Sequence, residues 1–170
     1  AAEAPKKAKK GDVNDKINIG FIGLGQQAIH LVNGFLTIPE VRVIAGCDIY
    51  DITRNRFIER VNKYYSEKGI KNKLDMYIKY EELLAREDID AVVIATPDHW
   101  HAAIAIAACK AGKDVYLEKP LTFTVYEGQR LIEAVRANNR ILQVGSMQRS
   151  MAEFIHAANV VREGKLGKIS

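Results

Sequence analysis

The chain has 170 residues, 48% of them hydrophobic and 27% charged, enough to bury one substantial core and short for two full domains. No apolar run approaches the roughly 20 residues of a membrane span, so the sequence reads as that of a soluble protein. The formal charge of +4 is no nucleic-acid signature, because Lys6, Lys7, Lys9, Lys10 and Lys16 against Glu3, Asp12 and Asp15 account for half of the excess, within residues 1–16 that read as a solvated, disordered basic arm.

Beyond the arm, residues 17–22 predict a short buried strand bounded by glycines. Ala28, Leu31, Val32, Phe35 and Leu36 then fall on one helical face, and Pro39 stops that helix. Residues 41–47 form a second strand rich in β-branched side chains, followed by a long helix over 51–67, a weak strand at 75–77 and a short helix at 80–86. Residues 91–95 are apolar throughout, as expected of a parallel strand covered on both faces. An alanine-rich helix over 102–111 places Gly112 at its C′ position. A strand at 115–117, a helix at 125–138, a strand at 141–144 and a last helix over 151–162 complete the series, with Gly164 and Gly167 as helix exit and turn.

Six strands alternating with helices predict an α/β, doubly wound parallel sheet of the Rossmann type, in the order 3-2-1-4-5-6. The implied organisation is the arm at 1–16, a dinucleotide-binding domain at 17–149 and a helix with a lead-in segment at 150–170. Cys47 and Cys109 lie in apolar surroundings without ligand spacing and read as buried free thiols. The first residue is Ala1 rather than Met, which leaves two compartments open: the cytoplasm, or the periplasm after loss of an export signal.

In doubly wound sheets ligands bind beyond the carboxyl ends of the strands. The first such turn is Gly23-Leu24-Gly25-Gln26-Gln27-Ala28, a GxGxxA pattern. Its first glycine permits the tight turn, its second lets backbone N–H groups approach a pyrophosphate, and Ala28 lets the helix pack closely. Gly23, Gly25, Gln26 and Gln27 are therefore candidate phosphate-side residues. Asp48 ends the second strand, where a carboxylate accepts hydrogen bonds from ribose hydroxyls and repels a 2′-phosphate. Ile49 follows it without an adjacent Arg or Lys, although Arg54 lies a turn away, and the pair favours NAD over NADP. Asp48 is alternatively a helix cap, a role for which Asp51 is better placed.

The fourth strand runs into Thr96-Pro97-Asp98-His99-Trp100-His101. Asp98 is the expected N-cap of the next helix, Thr96 and Pro97 the expected lining of the ribose and nicotinamide pocket, and Trp100 or a histidine, namely His101, its neighbour in the cleft. A metal site is not expected, because His99 and His101 point in different directions on a helix and no other His or Cys has ligand spacing. The fifth strand ends in Glu118-Lys119-Pro120. On spacing alone this reads either as an exposed ion pair or as a lysine placed to stabilise a developing alkoxide.

Together, the GLGQQA turn, Asp48, TPDHWH, AACKAGKDVYLEKPLT and QVGSMQRS resemble the Gfo/Idh/MocA oxidoreductase family, in family order across roughly residues 17–170. The resemblance implies that Lys119 is catalytic, that Glu118 and the Thr96-Pro97 pair are cofactor-side residues, and that Arg149 matches the arginine after the sixth strand. It further implies a second α+β domain that supplies most of the substrate pocket, usually a histidine proton acceptor, and the surface for a homo-oligomer. The sequence stops about where that domain would begin, so this chain is expected to be the cofactor half of an NAD-dependent enzyme acting on a CH–OH group of a sugar, polyol or glycoside, inactive alone. Two alternatives stay open: an NAD-retaining glycosidase of the same family, whose members tend to lack the lysine of Glu-Lys-Pro, and a non-catalytic NAD-binding module.

Overall fold

A computed structural model describes residues 16–168, and the expected basic arm lies, Lys16 apart, outside the described residues. Strands β1 (Ile17–Ile22), β2 (Val41–Cys47), β3 (Asp75–Tyr77), β4 (Ala91–Ile94), β5 (Asp114–Leu117) and β6 (Leu142–Val144) alternate with helices α1 (Gln26–Leu36), α2 (Asp51–Glu67), α3 (Tyr80–Leu84), α4 (Asp98–Lys110) and α5 (Val125–Ala137). A 3-10 turn at Met147–Ser150 leads into α6 (Ala152–Arg162). Every strand pairing is parallel, and the order across the sheet is β3-β2-β1-β4-β5-β6, the doubly wound arrangement that the alternation predicts. Among the described residues no helix is long and apolar enough to cross a membrane.

The sheet separates two apolar cores, because neighbouring side chains on a strand point to opposite faces. On one face Ile19 and Phe21 of β1, with Val43 and Val93, pack against Ala28 and Val32 of α1 and Phe57 and Val61 of α2. On the other, Ile22, Val92 and Leu117 meet Leu83 of α3, Ile104 and Ala108 of α4 and Leu131 of α5. Phe21 is the centre of the first core, with the rings of Phe35 and Phe57 at centroid distances of 5.8 and 5.2 Å. Each such fully buried side chain is worth about 1.5–3 kcal/mol relative to exposure. Gly20 faces the second core, where a Cβ would come within 2.8 Å of Leu83 Cδ2.

Two expected helix caps are corrected. Asp98 is the first residue of α4 and Pro97 is its N-cap, so the helix begins a turn before the alanine run. Proline is tolerated there because the N–H it lacks would have no partner within the helix, and Asp98 in the first turn complements the positive end of the helix. Asp51 likewise opens α2 behind Tyr50 rather than capping it, and it pairs with Arg54. Gly112 adopts φ +76° behind α4, as expected of a C′ residue. Cys47 and Cys109 are buried and free. Lys113, which no local pattern marks as internal, is buried. Its ammonium donates to the carbonyls of Arg86 and Ile89 at 2.5 and 2.8 Å, tying the loop before β4 to the start of β5.

Candidate functional site: a cleft at the strand ends

The turn between β1 and α1 depends on two glycines for different reasons. Gly23 has φ +81°, and a Cβ on it would lie 2.7–2.8 Å from backbone atoms of Thr96 and Ala95. Only glycine allows this turn to rest against the end of β4. Gly25 is the N-cap of α1, with φ −66° and no side-chain cap, and a Cβ there would meet nothing within 4 Å. The first turn of α1 also carries no acidic residue. By contrast α5 is closed by a reciprocal box, in which Thr124 accepts from the Glu127 amide while the Glu127 carboxylate accepts from the Thr124 amide. The amides at the start of α1, and its positive dipole end, are thus left open toward an anion.

Asp48 stands beside this turn. Its Oδ2 accepts from the Leu24 amide at 2.7 Å and its Oδ1 from the Tyr50 amide at 3.0 Å, so the carboxylate joins the first and second turns and is held in one orientation. Each oxygen keeps a lone-pair direction for a further donor. The guanidinium of Arg54 is engaged by the Asp48 carbonyl and the Asp51 carboxylate. Beyond Asp48 a cleft of about 800 Å³ opens. Gly23, Gly25, Gln26, Gln27, Asp48, Ile49, Thr96 and Pro97, all expected at the site, line it, together with His99 and Trp100. Its walls are largely apolar, with Ile49, Ile78 and Ile104 among them. Thr96 Oγ1 is buried without a hydrogen-bond partner among the described residues, an unusual condition that a bound polar group relieves.

Four residues singled out by the sequence lie outside the lining of the cleft. Glu118 is buried behind the turn, with Oε1 accepting from Gln27 Nε2 at 2.8 Å and Oε2 from the Lys119 amide at 3.1 Å. Its carboxyl group leans on Gly145, where a Cβ would come within 2.9–3.1 Å of it. Lys119 is exposed just beyond β5, followed by a cis peptide to Pro120. His101, 1% exposed, lies beneath the cleft and faces the carbonyls of Thr96 and Pro120 at 2.9 and 2.6 Å. Arg149 is exposed in the 3-10 turn that follows β6.

The chain matches the family model GFO_IDH_MocA, described as an oxidoreductase family with an NAD-binding Rossmann fold, over residues 17–146. It belongs to this family. Among curated relatives, it is similar to glycosyl hydrolase family 109 protein 1 of Shewanella sp. (strain MR-4), at 32% identity over 155 residues, covering 90% of this chain and 33% of the relative. The same figures hold for an alpha-N-acetylgalactosaminidase of Shewanella oneidensis. Among solved structures, scyllo-inositol dehydrogenase from Lactobacillus casei with bound NAD(H) and scyllo-inositol superposes with a TM-score of 0.70 at 26% identity, covering 91% of this chain and 43% of that one. A 3-ketoreductase from Actinomadura kijaniata in complex with TDP-benzene and NADP gives a TM-score of 0.75 at 27% identity, covering 88% and 44%. The chain therefore spans about a third of the length of these curated relatives and under half of these solved chains. Membership in the Gfo/Idh/MocA family accounts for the order of the motifs along the chain.

Sequence reasoning missed two parts of this site. Ile78 to Glu81, running from the end of β3 into α3, form one wall of the cleft; the strand end at Tyr77 is as expected, but no residue pattern there marks a ligand contact. Gly145 is held small by a side chain distant in sequence, and its only signal was a glycine directly after a strand.

Proposed function

We propose that the cleft binds NAD and that the chain is the cofactor-binding part of an oxidoreductase that moves hydride between NAD and a carbinol carbon of a sugar, polyol or glycoside. The observation that carries this reading is the uncapped start of α1 beside the fixed carboxylate of Asp48, a donor set for a diphosphate and an acceptor for a ribose diol on one cleft. The apolar walls at Ile49 and Ile78 suit an adenine ring, and the unpaired Thr96 hydroxyl suits a polar group on the nicotinamide side.

NAD supplies a hydride-accepting ring when bound; the residues of this chain bind and orient it. Gln26, Gln27 and the backbone at Gly25 take the phosphates, and Asp48 takes the adenosine ribose. Glu118 acts behind them by holding Gln27. Lys119, at the carboxyl end of β5, stabilises the substrate oxygen as charge develops on it. NAD is preferred to NADP because the carboxylate of Asp48 repels a 2′-phosphate and Arg54 is engaged elsewhere. Two nearby cations argue otherwise: Lys79, which lines the cleft, and Arg56, whose guanidinium donates to the Leu24 carbonyl in the glycine turn.

Trp100, the single tryptophan, stands at the cleft, so energy transfer from it to a dihydronicotinamide reports binding. Titration is expected to give NADH an affinity at least about tenfold above that of NADPH, a difference of about 1.4 kcal/mol. Equal affinities overturn the assignment to Asp48. The relatives named as glycosyl hydrolases favour a second reading, in which a protein of their length oxidises, cleaves and re-reduces a glycoside with NAD retained. Release of free sugar without net NADH distinguishes it from a dehydrogenase.

A further inference from the structure

His101 has the geometry of a brace, not of a core residue or a ligand contact. Its ring sits at the start of α4, turned inward and sealed from solvent. Its two nitrogens face two backbone carbonyls on different strand ends, Thr96 after β4 and Pro120 after β5. One carbonyl belongs to a residue that lines the cleft, and the other to the residue that follows Lys119. Both partners can only accept. The ring donates toward these carbonyls and fills the space between the two strand ends.

We infer that His101 is a positioning residue whose buried imidazole, lodged between the two carbonyls, ties Thr96 to Pro120 and thereby sets where Thr96-Pro97 and Lys119 stand relative to each other. The two carbonyls take the place of the water that burial removes. His101 thus links the cleft wall on the β4 side directly to the segment that carries the lysine on the β5 side, so the brace acts on the width of the nicotinamide end and leaves the phosphate and adenosine end alone. This inference rests on the proposed cofactor reading for its functional part, and its chemical part stands apart from that reading.

The test has two readouts on this chain. Nitrogen-detected histidine spectra are expected to show a slowly exchanging ring N–H of His101 hydrogen-bonded to a carbonyl; a ring N–H that exchanges freely overturns the brace whether or not the chain binds a nucleotide. Calorimetric titration then compares NADH with ADP-ribose, which lacks the nicotinamide. His101→Phe is expected to weaken NADH at least about fivefold while ADP-ribose binds as to the parent, and His101→Gln, which keeps a donor, is expected to fall between. Equal losses for both ligands reduce His101 to a structural residue and overturn the proposal, as does an unchanged NADH affinity in His101→Phe. If His101→Phe does not fold, the spectra and His101→Gln decide. Failure of the parent to bind either nucleotide refutes the cofactor reading instead.

Discussion

At the scale of single residues, the two glycines of the first turn separate folding from binding. Gly23 combines a positive φ with backbone contacts that admit no Cβ, so Gly23→Ala is expected to cost about 1–3 kcal/mol or more in strain and displacement. Gly25 has ordinary φ and open space around its Cα. Gly25→Ala is expected to leave the urea midpoint within a few tenths of a molar while abolishing most NADH binding. Loss of stability in both variants, or of binding in neither, refutes this division. Cys47 offers a pH prediction. Burial, reinforced by the charge of Asp48, pushes its thiol up to about 12 from 9.0. The folded state then keeps a proton that the unfolded chain gives up, so this contribution to stability is complete below about pH 9 and is lost as pH rises toward 12. Denaturation midpoints are expected to fall above pH 9 more steeply in the parent than in Cys47→Ala. At pH 8 neither thiol is expected to react with an aromatic disulfide until the chain unfolds.

Among the elements, α1 and α5 show how one fold treats two helix starts differently. The start of α5 is an exposed surface feature closed by its own Thr124 and Glu127, whereas α1 points at the cleft with nothing of its own to satisfy it. The last helix has a third character. None of its residues is buried, and Phe154, Ile155 and Val161 are each more than two-fifths exposed. With little apolar surface covered, α6 has only its intrinsic propensity and hydrogen bonds to hold it. Its amides are expected to exchange with solvent orders of magnitude faster than those of β1 and β4. Protection in α6 equal to that of the central strands contradicts the packing described.

For the molecule as a whole, the proposed chemistry is divided between a sealed floor and an exposed edge. Glu118 and His101 are internal and act on their neighbours, while Lys119 is open to solvent. An exposed lysine has little leverage on a substrate until another surface dries its surroundings, since charge stabilisation grows as water is excluded. In a protein of the relatives' length that contains this chain, Lys119→Met is therefore expected to lower turnover about 100-fold or more with NAD affinity changed less than threefold. Turnover at the parent's rate removes Lys119 from the reaction.

Much of this was legible from residue order alone. Short continuous apolar runs rich in β-branched residues marked the strands, period-3.6 patterns marked the helices, and the topology followed because parallel crossovers have one favoured hand. The glycine turn and Asp48 were equally visible, since each lies directly beyond a strand that residue order marks, in a residue pattern that is local. What tertiary structure alone decided were the contacts made when β1, β4 and β5 lie side by side. Gln27 reaches Glu118 across 91 positions, Gly145 is kept small by that same carboxylate, and Lys113 and His101 are turned inward to distant carbonyls. A histidine or lysine carries no local mark of being buried. Its partners are set by which strands the sheet makes neighbours, and that is a property of the folded chain.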